Sequence, residues 1–440
     1  MEGVNSSSEL PLSASRALVP PVSTFSVLTF GCKVNQYETQ LMRETLGDLW
    51  TEAAPNGPVD LILVNTCAVT AEAERQGRQA LRRARQRHPG ARVVAAGCFA
   101  RRPGVDLVAE GLADAVVAGT GPAALLAALG IPAALPARSG ISRPAAGHSR
   151  AFVKVQDGCD RRCTFCVVPL VRGRSVSRPA GEIHDEVIGL AASGVPEVVL
   201  CGVELSGWRD PATDLTLAGL VRDLAAIPEL RRLRLSSLYP GRQPPDLIDL
   251  LTGHSKVCRH LHLPVQSGSD AVLRAMHRGY DAAAVLGLVR DLKSRDPRIG
   301  LTADILAGFP GETGADAAET EALVEACGFH RLHIFPFSPR PGTPAESLAP
   351  VPVDEVEARM SRLRSLGQRL CTEELDRHVG AEVEAVVERG SAAGNWRGTT
   401  GSYLPVRFRD PGARPGSIAR VRVTGHADGE LAGEAAGEPR

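Results

Sequence analysis

The sequence predicts a multidomain α/β protein with an N-terminal open parallel α/β sheet, a central partial (β/α)6 TIM-like barrel and a small all-β barrel at the C-terminus. Three observations predict it. Apolar strand-like runs alternate with helical stretches from residue 25 to about 100, which is the pattern of a parallel sheet. The alternation resumes at Ala151 and runs through six units to about Ile334. After Gly380, short alternating segments are separated by Gly-rich turns.

Residues 1–24 are Ser/Pro-rich and are expected to form a disordered tail. They carry Glu2 and Glu9 and no apolar stretch, so they do not read as a signal peptide. In the first domain, 25–120, strands are expected at 25–30, 60–65 and 92–96, with helices at 36–49 and 71–88. An Ala/Pro/Gly-rich linker, 121–148, follows; its first part has the character of a weak helix. The central domain, 149–375, has strand candidates at 151–155, 197–200, 233–235, 260–263, 300–305 and 331–335. A long charged helix is expected over 351–378. Segments 382–388, 403–408 and 417–424 then mark a third domain, 376–433, with a tail at 434–440.

Composition excludes several classes. Fifty Lys and Arg balance fifty Asp and Glu, which argues against a polyanion-coating protein while leaving room for local basic faces. Hydrophobic residues make up 43% and mean hydropathy is −0.04, so neither a membrane protein nor a disordered chain fits. The most apolar long stretch, 112–136, is interrupted by Asp114, Pro122 and Pro132 and falls short of the roughly 20 apolar residues a membrane span needs. A cytoplasmic location is expected. There thiols stay reduced, so ten cysteines are not a disulfide framework.

Cys159, Cys163 and Cys166 form Cys-x3-Cys-x2-Cys directly after the first strand of the central domain. Three thiolates on one short loop suit three irons of a [4Fe–4S] cube with the fourth iron open, whereas a closed zinc site needs a fourth ligand. This spacing at this place in a six-unit barrel resembles the radical S-adenosylmethionine (SAM) superfamily. The resemblance implies that SAM binds the open iron and is cleaved to a 5′-deoxyadenosyl radical, and that Phe165, Gly202, Ser236, Gln266 and Gly308 lie where that fold contacts SAM. Each of these five also fits a plain turn or packing role.

Cys32, Cys67 and Cys98 each follow a predicted strand of the first domain. Strand ends of a parallel sheet share one edge, so the three can converge, and nearby helix N-termini would favour their thiolates. A second cluster and a set of buried core thiols are both compatible with this placement. The surrounding segments Gly31–Thr39, Val64–Thr70 and Gly97–Ala100 resemble the radical SAM methylthiotransferases, and the likeness runs from about 25 to 433. It implies an auxiliary [4Fe–4S] cluster on Cys32, Cys67 and Cys98, a C-terminal TRAM-like RNA-binding barrel, and tRNA as partner. It also implies an electron donor of flavodoxin or ferredoxin type and a sulfur source that the sequence does not identify.

Lys33-Val-Asn after the first cysteine and the run Asn65–Gln76 resemble the branch that methylthiolates C2 of N6-threonylcarbamoyladenosine at position 37 of tRNA. Other branches of the family act on isopentenyladenosine or on a ribosomal-protein aspartate. A non-enzymatic metal-containing RNA-binding protein is a further reading, which leaves the barrel without a purpose. Cys201, Cys258, Cys327 and Cys371 show no ligand spacing and are assigned to packing.

Two segments are candidates for RNA contact. Nine arginines between Ala71 and Arg102, Arg78 and Arg82 among them, face only Glu72 and Glu74 in that window. Six arginines between 397 and 422, including Arg397, Arg407, Arg409 and Arg422, face only Asp410. Phosphate contacts of this kind supply affinity rather than base identity.

Overall fold

The computed structural model describes residues 22–54, 57–132, 138–241, 243–390 and 394–437. The tail expected at 1–24 therefore lies outside the described residues up to position 21. Thr24 already opens the first strand, and its backbone N–H donates to Asp60.

Five parallel strands form the N-terminal sheet in the order 51–52, 24–29, 61–66, 92–96, 115–116. Leu61–Thr66 is buried at every position, as a central parallel strand covered on both faces must be. Its alternation divides two cores. Ile62 and Val64 pack with Leu81 and Ala84 of the helix Ala71–Arg87, while Leu61 and Leu63 pack with Met42 and Leu46 of the helix Lys33–Gly47. Thr70 caps the second helix by accepting the Ala73 N–H.

Pro122–Leu129, placed in the linker by sequence, is a helix whose Leu125 and Leu129 join the core of Met42 and Leu46. Those leucines bury enough apolar surface to attach the segment to the first domain, which therefore extends past residue 120.

The central domain holds six parallel strands: Arg150–Lys154, Glu197–Cys201, Arg232–Leu235, His260–Gln266, Gly300–Ala307 and Arg331–Pro336. They form two three-stranded sheets; the bridge Ser237 to His262 and the Leu238 N–H donating to the His262 carbonyl join them, and Leu233 bonds to the segment 256–258 that leads into the fourth strand. Alternate residues (Val198, Leu200, Leu233, Leu235, Leu261, Leu263, Leu301, Ala303) face the surrounding helices in one large core. The intervening set (Glu197, Arg232, Arg234, His260, His262, Thr302, Asp304) faces the other way and is polar. A closed (β/α) barrel fills that interior with apolar layers; here many of the inward side chains are polar and buried.

Tyr37 and Leu41 of the first domain enter the central core. The Arg178 guanidinium ties the two domains by pairing with Glu186 at 2.8 Å and lying 3.2 Å from the Tyr37 hydroxyl.

After the helix Val353–Asp376, five strands close a small barrel: Glu382–Gly390, Asn395–Thr400, Pro405–Arg409, Ile418–Ala427 and Glu430–Ala435. Two of them, Asn395–Thr400 and Glu430–Ala435, are not foreseen from the sequence, because Asn, Arg, Gly and Glu give them little strand character. Glu430–Ala435 closes the barrel against Pro405–Arg409 and Ile418–Ala427. The boundary expected at 433 is thus corrected: Glu434 and Ala435 are ladder residues, not tail. Among the described residues no helix is long and apolar enough to cross a membrane.

Candidate metal centre and channel

Cys159, Cys163 and Cys166 lie on the loop after Arg150–Lys154, at the C-terminal end of the parallel strands. Gly158 opens that loop at φ +67°, and a Cβ there would collide with the Arg174 carbonyl. Thr164 anchors the middle of it, donating its N–H to the Met276 carbonyl and its hydroxyl to the Ala275 carbonyl. The Arg161 N–H donates to the Cys159 sulfur at 3.4 Å, and the Arg278 guanidinium donates to the Cys163 sulfur at 3.3 Å. Burial, with Cys163 and Cys159 acting the same way, pushes the Cys166 thiol up to about 12, as sulfurs sharing one small space do.

Cys32, Cys67 and Cys98 meet at the same edge of the N-terminal sheet. Gly31, at φ +103°, makes room: a Cβ would come within 2.9 Å of the Cys67 Cβ. Asn35 sits among them, donating to the Phe30 and Thr66 carbonyls at 2.9 and 3.0 Å. Burial pushes the Cys67 thiol up to about 11, and it also raises Cys98. This reverses the expected helix effect. The helix after Cys67 begins only at Ala71, and desolvation outweighs a dipole that acts over about one turn.

Arg172, which sequence reading missed, links the segment after Cys166 to the N-terminal set. It follows Cys166 by six residues, and its buried guanidinium donates to the Cys98 sulfur at 3.1 Å, to Asn35 Oδ1 at 2.6 Å, and to Glu38 and Asp157 at 2.8 Å each. Each cysteine set offers three thiols around a glycine-shaped cradle and beside a guanidinium, a donor set that suits a cubane better than a four-ligand zinc site. Cys201 is buried at the end of its strand beside Cys32 and Lys33; Cys258 and Cys327 are core residues, and Cys371 packs at the edge of the C-terminal core.

Of the five residues singled out for SAM, Phe165 is on this loop and the other four end or directly follow central strands. Phe165 packs edge-on to Phe309 at 6.5 Å. Gly202 lies against Gln156, where a Cβ would come within 3.0 Å, and Ser236 has a buried hydroxyl with no protein partner. Gln266 ends its strand at φ +70°. Gly308 has its N–H taken by Glu312 at 2.7 Å, and a Cβ there would strike Val356, so its site is shaped by the docking of the Val353–Asp376 helix.

Further down the channel, His260 and His262 lie 3.0 and 2.8 Å from the Thr302 hydroxyl. Asp304 Oδ1 lies 3.1 Å from His262 Nε2 and 3.2 Å from His333 Nδ1, a compact His–Asp–His group. At the floor, buried Glu197 pairs with Arg234 at 2.7 Å, Arg232 at 2.8 Å and Arg150 at 3.7 Å. Tyr403 of the C-terminal barrel stacks on His260 there, with ring centroids 4.5 Å apart.

The arginine patches are more neutral in space than in sequence. Arg78 pairs with Glu110 and lies over the Phe99 ring, Arg85 pairs with Asp114, and Arg102 with Glu74. The partners of Arg78 and Arg85 come from beyond residue 102, so Arg78 is ion-paired where the sequence window shows no partner for it. Arg82 is exposed and has no acidic partner among the described residues. Over 382–435, seven arginines face seven acidic residues. Arg397 and Arg407 both reach Glu430, and Arg422 reaches Glu382. Arg389 and Arg409 have no acidic partner among the described residues; with Arg397, Arg407, Trp396 and Phe408 they line an open cleft of about 640 Å³.

Residues 24–119 match the Uncharacterized protein family UPF0004, and residues 153–324 match the Radical SAM superfamily. The chain is 36% identical over 440 residues to the tRNA-2-methylthio-N(6)-dimethylallyladenosine synthase of Cereibacter sphaeroides, covering 93% of this chain and 98% of that protein. It is 35% identical over 370 residues to the threonylcarbamoyladenosine tRNA methylthiotransferase MtaB of Chlamydia pneumoniae, covering 83% and 87%. The corresponding Rickettsia prowazekii protein is 33% identical over 417 residues, covering 92% and 96%. The radical S-adenosylmethionine methyltransferase TsrM of Kitasatospora setae superposes with a TM-score of 0.54 at 17% identity, over 74% of this chain and 77% of that one, a likeness of fold.

Proposed function

Because the chain belongs to the radical SAM methylthiotransferase family, we propose that it replaces the C2 hydrogen of N6-threonylcarbamoyladenosine, at position 37 of tRNA, by a methylthio group. The observation that supports this reading is Arg172, six residues past Cys166, whose guanidinium donates to the sulfur of Cys98 in the other cysteine set. The C2–H bond is unactivated, so neither a general base nor a nucleophile alone replaces that hydrogen.

A [4Fe–4S] cluster on Cys159, Cys163 and Cys166, with SAM, supplies hydrogen-atom abstraction when bound, and a second on Cys32, Cys67 and Cys98 supplies sulfur. The chain's own residues hold the thiols in place. Arg278 and Arg172 offset thiolate charge, and Asn35 ties the strand ends together.

Relatives acting on dimethylallyladenosine and on threonylcarbamoyladenosine are similar to this chain to nearly the same degree, so identity does not choose between the acceptors. The channel wall favours the second. A dimethylallyl group is apolar and calls for apolar surroundings, whereas Arg232, Arg234, His260, His262 and Asp304 are among the inward side chains of the central strands. The deciding experiment is the nucleoside profile of tRNA from cells with and without the gene. Loss of the methylthiolated threonylcarbamoyl nucleoside is expected; loss of the methylthiolated dimethylallyl nucleoside instead would assign the other acceptor.

A further inference from the structure

The turn Gly401–Leu404 of the C-terminal barrel reaches the N-terminal end of the central strands. Arg234 holds it by donating to the Gly401 and Thr400 carbonyls at 3.0 and 2.9 Å, and the Ser402 carbonyl abuts Gly300 where a side chain would collide. The turn carries Tyr403 at φ +69°, a left-handed conformation that a tyrosine adopts only where its surroundings over-determine it. The small barrel therefore does more than sit beside the channel. It contributes a side chain to the floor.

Three guanidiniums surround the Tyr403 ring, from Arg234 at 5.1 Å, Arg150 at 5.7 Å and Arg331 at 6.0 Å. Glu197 compensates Arg234 and, with Glu388, Arg150. Arg331 has no acidic partner among the described residues, and neither has Lys33, the residue after Cys32. Burial pushes the Tyr403 phenol up, but Lys33, Arg150, Arg234 and Arg331 together outweigh it and leave the group below its ordinary value. The floor thus carries more positive than negative charge around the Tyr403 ring, and its uncompensated member Arg331 is exposed, where it can take up an anion without first giving up an acidic partner.

We propose that this floor is a carboxylate subsite, in which Arg331 and the Tyr403 hydroxyl hold the acid group of the acceptor base's N6 substituent. The assignment rests on the acceptor reading above. Arginine suits the task because its planar donors pair with a carboxylate in bidentate fashion. An RNA phosphate has similar chemistry, and the test below separates the two sources.

The test uses the full-length reconstituted enzyme with anticodon stem-loops that carry threonylcarbamoyladenosine either as the free acid or as its uncharged amide, together with a dimethylallyladenosine stem-loop. Filter binding and KM are measured for each. The wild type should prefer acid to amide by about tenfold or more, the scale of one charge-assisted pair. Arg331→Gln should shrink that preference to within a few fold, Tyr403→Phe should shrink it partly, and Arg331→Lys should restore most of it. Equal weakening of acid and amide by Arg331→Gln would mark a phosphate contact and overturn the subsite. Equal wild-type affinity for acid and amide, with both methylthiolated, would overturn the subsite and leave the acceptor reading standing. Methylthiolation of the dimethylallyl stem-loop alone would overturn both.

Discussion

The guanidinium of Arg172 donates to the sulfur of Cys98 at 3.1 Å, across the boundary between the central and N-terminal domains. Its side chain is 2% exposed and lies between the carboxylates of Glu38 and Asp157, which Lys154 also reaches at 2.8 Å each. Burial raises Asp157, but Lys154 and Arg172 outweigh it and hold the carboxyl well below the usual range. Two cations and two carboxylates thus form a closed network beneath the cysteines. Such a network is stable when complete and costly when broken.

Arg172→Met should therefore destabilise the protein by about 3–5 kcal/mol, because it removes one cation from a buried set and leaves carboxylates uncompensated. It should also lower retention of iron by the N-terminal cysteines, since Cys98 loses its adjacent positive charge. Arg172→Lys should be intermediate, because a single ammonium cannot reach Asn35, Glu38, Asp157 and Cys98 together. Urea unfolding and iron analysis check both effects. Unchanged stability and iron in Arg172→Met would show that the network does not couple the domains.

The two cysteine sets should be separable by iron counting. Reconstituted enzyme should hold about eight irons, as two cubanes require. Replacing Cys159, Cys163 and Cys166 by Ala should leave about four and abolish SAM cleavage. Replacing Cys32, Cys67 and Cys98 should also leave about four, keep 5′-deoxyadenosine formation and abolish the methylthio product. Stoichiometric zinc without a brown chromophore would rule out the two-cluster reading.

What was legible in the sequence is what local pattern controls. Leu61–Thr66 and Glu197–Cys201 are continuous buried runs, so their strands read to within a residue or two, and the cysteines read as strand-end residues. What was hidden depends on distant partners. Arg172 is an ordinary charged residue until Asn35 and Glu38, more than 130 positions away, are brought to it. Tyr403 reads as a strand residue, and only the turn it occupies sends it into a channel built by another domain. Arg78 looks free because Glu110 lies 32 residues on. Counting charges in a window cannot see partners that the fold supplies from outside it.

Glu197 carries a pH-dependent share of stability. It is fully buried; desolvation alone would raise it, but Arg234, Arg232 and Arg150 outweigh that and bring it down to about 2. A carboxyl lowered on folding contributes stability that is fully present above its unfolded pKa, near 4.5, and is lost as pH falls toward 2. Glu197→Gln should cost about 3–5 kcal/mol at neutral pH, since it leaves the arginines buried without an anion. The gap between wild type and variant, measured by urea unfolding at several pH values, should narrow as pH falls below about 4. A gap independent of pH would mean that packing rather than charge sets the role of Glu197.

The C-terminal barrel was expected from sequence to be a separable basic module, and the structure changes how its RNA contacts should be tested. Truncation after Asp376 would remove the Thr399, Thr400 and Gly401 carbonyls that Arg232 and Arg234 use, and would take Tyr403 from the channel, so lost activity would not report RNA binding alone. Point variants in the open cleft avoid this. Arg389 and Arg409 are exposed there without acidic partners among the described residues, whereas Arg397 and Arg407 are both held by Glu430. If phosphates bind in the cleft, log affinity should fall with log salt by about 0.7–0.9 per contact. Arg389→Ser with Arg409→Ser should then reduce the slope by roughly 1.4–1.8, and all tRNAs should weaken alike because phosphate contacts carry no sequence information. Arg397→Ser with Arg407→Ser should change the slope less, since those guanidiniums must first leave Glu430 to reach a phosphate. An unchanged slope in the first pair would move the tRNA contact away from the barrel, to the exposed Arg82, Arg83 and Arg87 on the helix beside Cys67.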